Sequence, residues 1–147
     1  MTTRNNPTMT SVALLVLRVV LGFILAAHGW QKFFQYTLGG ATASFEQMGV
    51  PLASVVAPAV ATLELAGGIA LVLGVLTRVA AALLAVDMLG ALFLVHLSAG
   101  IFVDNGGYEL VAILAAAAAA LVLAGPGAYS VDRFLFARKA AVAVPSV

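Results

Sequence analysis

Residues 17–34, LRVVLGFILAAHGWQKFF, are apolar enough to cross a bilayer, yet the stretch contains Arg18, His28 and Lys32. A helix needs about 20 predominantly apolar residues to cross a hydrocarbon core of roughly 30 Å. Similar apolar runs recur along the chain, and polar or Gly/Pro-containing segments separate them. The sequence therefore predicts membrane-spanning helices over residues 11–34, 53–76, 77–98 and 108–124.

The composition also indicates an integral membrane protein. The chain has 147 residues, of which 63% are hydrophobic and 9% charged, whereas soluble domains carry roughly 25% charged residues. A formal net charge of +1 gives no basis for binding nucleic acid, and the absence of cysteine excludes disulfides, iron–sulfur ligation and thiol redox chemistry. We predict a single domain over residues 1–147, an all-α integral membrane four-helix bundle in a lipid bilayer.

Two polar segments outside these helices predict short interfacial helices. Residues 41–48, in the loop after the first helix, place Phe45 and Met48 on one side, and residues 129–139 of the C-terminal tail mix aromatic with basic residues. Basic residues mark the cytoplasmic side of a membrane protein, which predicts that both termini are cytoplasmic. The basic residues assigned to that side are Arg4, Arg78, Arg133, Arg138 and Lys139.

The first helix carries its basic residues on one stripe. At about 100° per residue, Arg18, His28 and Lys32 share a face, together with Gly22, Leu25 and Gly29. A charge at the centre of a bilayer costs roughly 2.5 to 3.5 kcal/mol, so such residues usually pair, face a cavity or serve function. Arg18 is predicted to be a structural or interface residue.

Ionisable residues from all four predicted helices converge on the outer half of the bundle. Helix directions and a rise of about 1.5 Å per residue predict this convergence. Glu64 shares a face with Gly67, Gly68 and Leu71, so it needs a partner, for which Arg18, Lys32 or a histidine are the candidates. The residues predicted to bind a cofactor in this pocket are His28, Lys32, Glu64, His96 and Glu109.

Each of these residues also has a structural interpretation. Lys32 could extend to the outer interface, Glu109 could only begin the fourth helix, and His28 and His96 could be hydrogen-bonded core residues. Asp87 lies nine residues before His96, which predicts side chains about 180° apart that do not face one cavity. Asp87 is therefore predicted to pair with Arg18 or to face a second protein chain.

The order of motifs along the chain resembles that of the DoxX family of membrane proteins. The resemblance spans about residues 14–132 and uses motifs in all four predicted helices. They are LRVVLGFILAAHGWQK, FEQMGVP, ELAGGIALVLGVLTR, His96 with GGYEL, and GPGAYSVD. The resemblance implies a four-helix protein of the bacterial inner membrane, associated with respiratory or oxidative-stress redox systems, including quinone-linked thiosulfate oxidation. The implied positions are Arg18, His28, Lys32, Glu64, His96 and Glu109; Asp87 is not covered.

Four functions remain open from the sequence. The first is a redox subunit whose outer pocket holds a quinone, with His28 or His96 bonding a quinone carbonyl and Glu64 or Glu109 relaying protons. The second is a non-catalytic structural or assembly subunit associated with other membrane or redox chains. A haem held by His28 and His96 is less favoured because little space is predicted beside His96, and transport of a small solute ranks last. No metal site is predicted.

Overall fold

The computed structural model describes residues 6–135, which form helices and connecting turns without a β-strand in that range. The α-helices are α1 (Pro7–Trp30), α2 (Thr37–Gln47), α3 (Ala53–Leu73), α4 (Thr77–Ala91) and α5 (Glu109–Ala124). Two π-helical segments extend α1 and α4 over Gln31–Gln35 and Leu92–His96, and 3-10 turns follow at Leu97–Ala99 and Val103–Asn105. The predicted all-α class is confirmed.

The helix lengths fit a membrane protein. Continuous apolar helices over Pro7–Gln35, Ala53–Leu73 and Thr77–Ala99 are long and apolar enough to cross a bilayer. The fourth helix of the bundle, α5, begins one residue after the predicted start at 108 and ends at the predicted residue 124; its 16 residues are roughly 24 Å long, less than the hydrocarbon core of about 30 Å. The chain is therefore a membrane protein with an all-α helical bundle.

The four long helices form a closed antiparallel ring in which α1 packs on α3, α3 on α4, α4 on α5 and α5 on α1. One end of the bundle, here called the loop end, carries the connections over residues 31–52 and 97–108. The opposite end, the terminal end, carries the start of α1, the turn at residues 74–76 and the segment over residues 125–135. Large leucines from each of these helices, Leu25, Leu71, Leu84 and Leu121, are fully buried between them.

Glycines bring α1 and α3 into backbone contact. A Cβ atom at Gly22 would lie 2.5 Å from the carbonyl oxygen of Gly68, and one at Gly29 would lie 2.4 Å from the amide nitrogen of Leu65. Both distances are too short for a side chain, so only glycine permits this approach. The buried stripe of α1 contains Arg18, Gly22, Leu25 and Gly29, as the sequence predicts.

The predicted interfacial helix is present as α2 but begins at Thr37, four residues before the predicted start. Phe45 and Met48 share one side, which lines a cavity near the loop end, although Met48 is 42% exposed. Its position at a membrane surface stays a prediction. Residues 131–135 of the tail are helical, and the rest of the predicted tail helix, with Arg138 and Lys139, lies outside the described residues.

Arg18 connects α1 to the segment that follows α5. Its guanidinium donates hydrogen bonds to the carbonyl oxygens of Pro126, at 3.3 Å, and Tyr129, at 2.6 Å. A Cβ atom at Gly74, which has a φ of 73°, would overlap the Arg18 guanidinium. Arg18 is therefore enclosed at the terminal end, only 1% exposed, and its Nε is without a partner within residues 6–135.

Asp132 connects the same segment to the start of α4. Its carboxylate accepts hydrogen bonds from the amides of Leu76 and Thr77, at 2.7 and 2.8 Å, and its own amide donates to the carbonyl of Gly74. These are amides that the start of a helix leaves without intrahelical partners. Asp132 therefore caps α4 from a distant part of the chain, which explains why the GPGAYSVD motif ends in an aspartate.

Candidate functional site

A cavity of about 540 Å³ lies in the half of the bundle nearest the loop end. All five helices and both π-helical segments contribute to its wall. Most of the wall is apolar and includes Leu25, Val60, Met88, Val111 and Leu114. The ionisable or amide side chains in the wall are those of His28, Gln31, Lys32, Tyr36, Glu64, Asp87 and His96, and Ser44 adds a hydroxyl group.

Lys32 and Glu64 form an ion pair in this wall. Lys32 Nζ donates a hydrogen bond to Glu64 Oε2 at 2.5 Å, and the two side chains are 16% and 5% exposed. Of the partners that the sequence left open for Glu64, Lys32 is the one observed. Lys32 thus turns toward α3 within the bundle, instead of extending outward as in the alternative interpretation.

The two π-helical segments flank the cavity. Lys32 lies in the first, Gln31–Gln35, and His96 ends the second, Leu92–His96. Hydrogen bonds from residue i to i+5 add a residue to the turn and rotate the side chains that follow, and such turns occur frequently at functional sites. The predicted opposition of Asp87 and His96 is therefore wrong, because the π-helical segment between them brings both side chains into one cavity wall.

The loop between α4 and α5 orients the His96 ring. Nδ1 of His96 lies 2.6 Å from the carbonyl oxygen of Gly106. Because a carbonyl oxygen can only accept, Nδ1 carries the proton, and Nε2 of the neutral ring is left as an acceptor. A Cβ atom at the adjacent Gly107 would lie 2.5 Å from the carbonyl oxygen of Gly100. Glycine at position 107 therefore allows the two sides of this loop to approach each other, next to the Gly106 carbonyl that bonds to His96.

Glu109 does not line the cavity. Its carboxylate accepts a hydrogen bond from the amide of Val103 at 2.7 Å, and the residue lies in the first turn of α5. A carboxylate is favourable at a helix N-terminus, and this one also secures the 3-10 turn over Val103–Asn105. The prediction of Glu109 as a pocket residue is therefore corrected to a structural position beside the loop.

Asp87 lies in the cavity wall, although the sequence predicted otherwise. Its Oδ2 is buried and has no hydrogen-bond partner within residues 6–135, and its charged neighbours are Glu64 and Lys32. Arg18 bonds to backbone carbonyls at the terminal end, so the predicted Asp87–Arg18 pair is wrong. The alternative prediction, a surface for a second chain, stays a prediction, although Asp87 contributes to the cavity wall.

The structure thus brings His28, Lys32, Glu64 and His96 together, and adds Asp87 and Gln31. Gln31 was missed, although a polar residue beside Lys32 in an apolar helix was a usable signal. Asp132 was missed as a capping residue, and nothing local to residue 132 identifies its partners. Binding roles for the residues in the wall stay predictions, and the arrangement offers a flat apolar ligand several polar contacts at one edge.

Comparison with known proteins identifies the family. The DoxX family model matches residues 13–97. The chain is 34% identical to "Inner membrane protein YqjF" of Escherichia coli over 86% of this chain and 95% of that protein. It is 33% identical to an "Uncharacterized membrane protein" of Mycobacterium tuberculosis over 88% and 85% of the two chains. It is 32% identical to "Putative oxidoreductase CatD" of Bacillus subtilis over 87% and 90%.

No solved structure shows significant similarity to the chain. The family match covers more than half of the sequence, and the relatives align over most of their own lengths. The helices, the order of motifs and these matches agree. The chain belongs to the DoxX family of membrane proteins.

Proposed function

We propose that the chain is a membrane subunit of a respiratory or oxidative-stress redox system and that the cavity near the loop end binds a quinone. The observation that carries the proposal is the cavity itself, in which an apolar wall meets an ion pair and a histidine with a fixed ring orientation. A relative in Bacillus subtilis that is named as an oxidoreductase supports the redox assignment.

The wall provides the contacts that a quinone head group needs. Leu25, Met88 and Val111 can pack on the faces of the ring, and burial of such area contributes roughly 25 cal/mol per Å². His28 and Lys32 can donate hydrogen bonds to oxygens at its edge. Glu64 and Asp87 are the carboxyl groups of the wall that can take part in proton transfer, since Glu109 lies outside it. Bound quinone supplies two-electron redox chemistry.

We further propose that the chain lies in the bacterial inner membrane with its terminal end in the cytoplasm. The E. coli relative is named as an inner membrane protein, and the described basic residues Arg78 and Arg133 lie at the terminal end. The loops at the loop end, residues 36–52 and 97–108, contain no Lys or Arg, as the positive-inside rule favours for the outer side. A cleavable tag at either terminus should be removed only when protease reaches the cytoplasmic face.

Native mass spectrometry of protein solubilised gently from its own membrane tests the quinone assignment. We expect a bound mass equal to that of the host quinone. The His28→Ala variant should retain about tenfold less of it, because one hydrogen bond donated to the ligand is lost. The matched control is Asp104→Asn, since Asp104 is exposed and outside the cavity wall, and it should retain the wild-type amount.

The alternatives predict different masses. A haem mass lost on substitution of His28 or His96 would replace the quinone with a haem held by two histidines. Other protein chains without any small molecule would favour a structural or assembly subunit. A quinone retained equally by wild type and His28→Ala would contradict binding at this wall.

A further inference from the structure

The hydrogen-bonding groups in the cavity wall are not equally free to bind a ligand. The Lys32 ammonium and the Glu64 carboxylate bond to each other. Nδ1–H of His96 donates to the carbonyl oxygen of Gly106. Among the groups that only accept hydrogen bonds, those left without a partner are the Asp87 carboxylate, whose Oδ2 has none within residues 6–135, and Nε2 of His96 with the proton on Nδ1. Both of these groups accept hydrogen bonds.

The other polar groups in the wall do not discriminate between ligands. The remaining N–H groups of Lys32 can donate to a carbonyl or to a hydroxyl oxygen alike. Gln31 and the hydroxyl groups of Tyr36 and Ser44 can donate and accept, and His28 can adopt either tautomer. Selectivity must therefore come from Asp87 and His96, which need a donor on the ligand.

The charge in the wall favours the same kind of ligand. The wall holds one ammonium group, Lys32, and two carboxyl groups, Glu64 and Asp87; Lys32 bonds to Glu64, so Asp87 has no salt-bridge partner within residues 6–135. A buried carboxylate is stabilised by hydrogen-bond donors and destabilised by an opposing carbonyl oxygen. The two oxygens of a quinone are acceptors only, whereas the reduced quinol carries a hydroxyl donor at each position.

We propose that the cavity selects the reduced quinol over the quinone, with one ligand hydroxyl donating to Asp87 and the other to Nε2 of His96. This inference rests on the proposed quinone-type ligand and makes Asp87 a specificity-determining residue. A ligand that leaves a buried charged acceptor unpaired loses affinity by about tenfold or more. We therefore expect the quinol to bind at least about tenfold more tightly than the quinone.

Potentiometric titration of decylubiquinone bound to the purified protein in lipid nanodiscs measures this selectivity. Tighter binding of the reduced form raises the midpoint potential of the bound couple above that of the couple in empty nanodiscs. For a two-electron couple, a tenfold preference corresponds to about 30 mV. We expect an increase of at least this size for the wild type and for the exposed control Asp104→Asn.

The Asp87→Asn variant provides the internal test. The Asn amide keeps the shape of the side chain but can donate to a quinone carbonyl, so the preference for quinol should disappear or reverse. The midpoint potential should then fall by about 30 mV or more relative to the wild type. A purely structural role for Asp87 would change the amount of bound ligand without changing the potential.

The outcomes separate the two proposals. If both redox forms bind and the wild-type potential is unchanged or lowered, selectivity for the quinol is overturned, and the quinone-binding function stands. If neither form binds to folded protein, the proposed function itself fails. If the wild type shows the increase and Asp87→Asn retains it in full, Asp87 does not determine the selectivity.

Discussion

The two ends of the bundle bury charged side chains in different ways. At the terminal end, Arg18 and Asp132 bond to main-chain groups of the segment after α5 and of the α3–α4 turn. At the loop end, Lys32 and Glu64 bond to each other beside a cavity, and Asp87 keeps an oxygen without a partner within residues 6–135. Arg18 and Lys32 share one stripe of the same helix, so their different environments come from packing.

Main-chain partners cannot leave without moving the backbone, whereas side-chain partners can exchange when a ligand arrives. The terminal end should therefore determine the stability of the fold, and the loop end should determine ligand affinity. The partners of an intramembrane charge and the space beside it therefore decide whether the charge has a structural or a functional role. Substitutions of matched residues at the two ends can test this division.

Arg18→Met should have the largest effect on stability. It leaves the carbonyl oxygens of Pro126 and Tyr129 without a buried donor, and the free energy of unfolding should fall by about 3 kcal/mol. Equilibrium unfolding in mixed detergent micelles measures the change. Arg133→Met is the control, since Arg133 is exposed at the same end, and it should change stability by less than about 0.5 kcal/mol. Equal losses of stability in the two variants would show that the main-chain hydrogen bonds of Arg18 do not stabilise the terminal end.

Lys32→Met should have the next largest effect because it leaves the Glu64 carboxylate buried without its partner. We expect a loss of about 2 kcal/mol, and addition of Glu64→Gln should restore part of it. Unfolding of both single variants and the double variant gives a coupling energy, expected at about 1 to 3 kcal/mol. Additive losses would show that Lys32 and Glu64 do not interact in the membrane.

The hydrophobic pattern predicted the helices and much of the polar wall. Apolar length and small-residue spacing identified the spans, and Glu64 beside Gly67 and Gly68 indicated a close contact that required a partner. These features repeat with the α-helical period, so they can be read from the sequence. The family resemblance added the quinone expectation, which stays a prediction.

The pattern could not predict the features that depart from that period or join distant segments. The π-helical segment before His96 changes the direction of its side chain relative to Asp87, and tertiary packing sets that change. Asp132 caps residues that lie 55 and 56 positions away, with no local signal. Glu109 fitted two roles equally well in the sequence, and only its contact with Val103 distinguishes them.

Asp132→Asn should have a moderate effect. An amide oxygen can accept from Leu76 or Thr77, but the amide nitrogen cannot, so one helix-capping hydrogen bond is lost. We expect the free energy of unfolding to fall by about 1 to 2 kcal/mol, measured by the same equilibrium unfolding. Quinone retention should be unchanged in folded protein. A loss of ligand without a loss of stability would assign a binding role to the terminal end.

Asp87→Asn should have the smallest effect on stability, although it replaces an aspartate with an asparagine just as Asp132→Asn does. Oδ2 of Asp87 accepts no hydrogen bond within residues 6–135, so the substitution breaks none there, and it removes a buried charge that is costly to desolvate. The free energy of unfolding should stay within about 0.5 kcal/mol of the wild-type value or rise. A loss as large as that of Asp132→Asn would mean that Asp87 has a structural partner, and the loop end would then resemble the terminal end. A stable variant with altered ligand preference would show that burial of a charge is tolerated here because a ligand, and not the fold, supplies the donor.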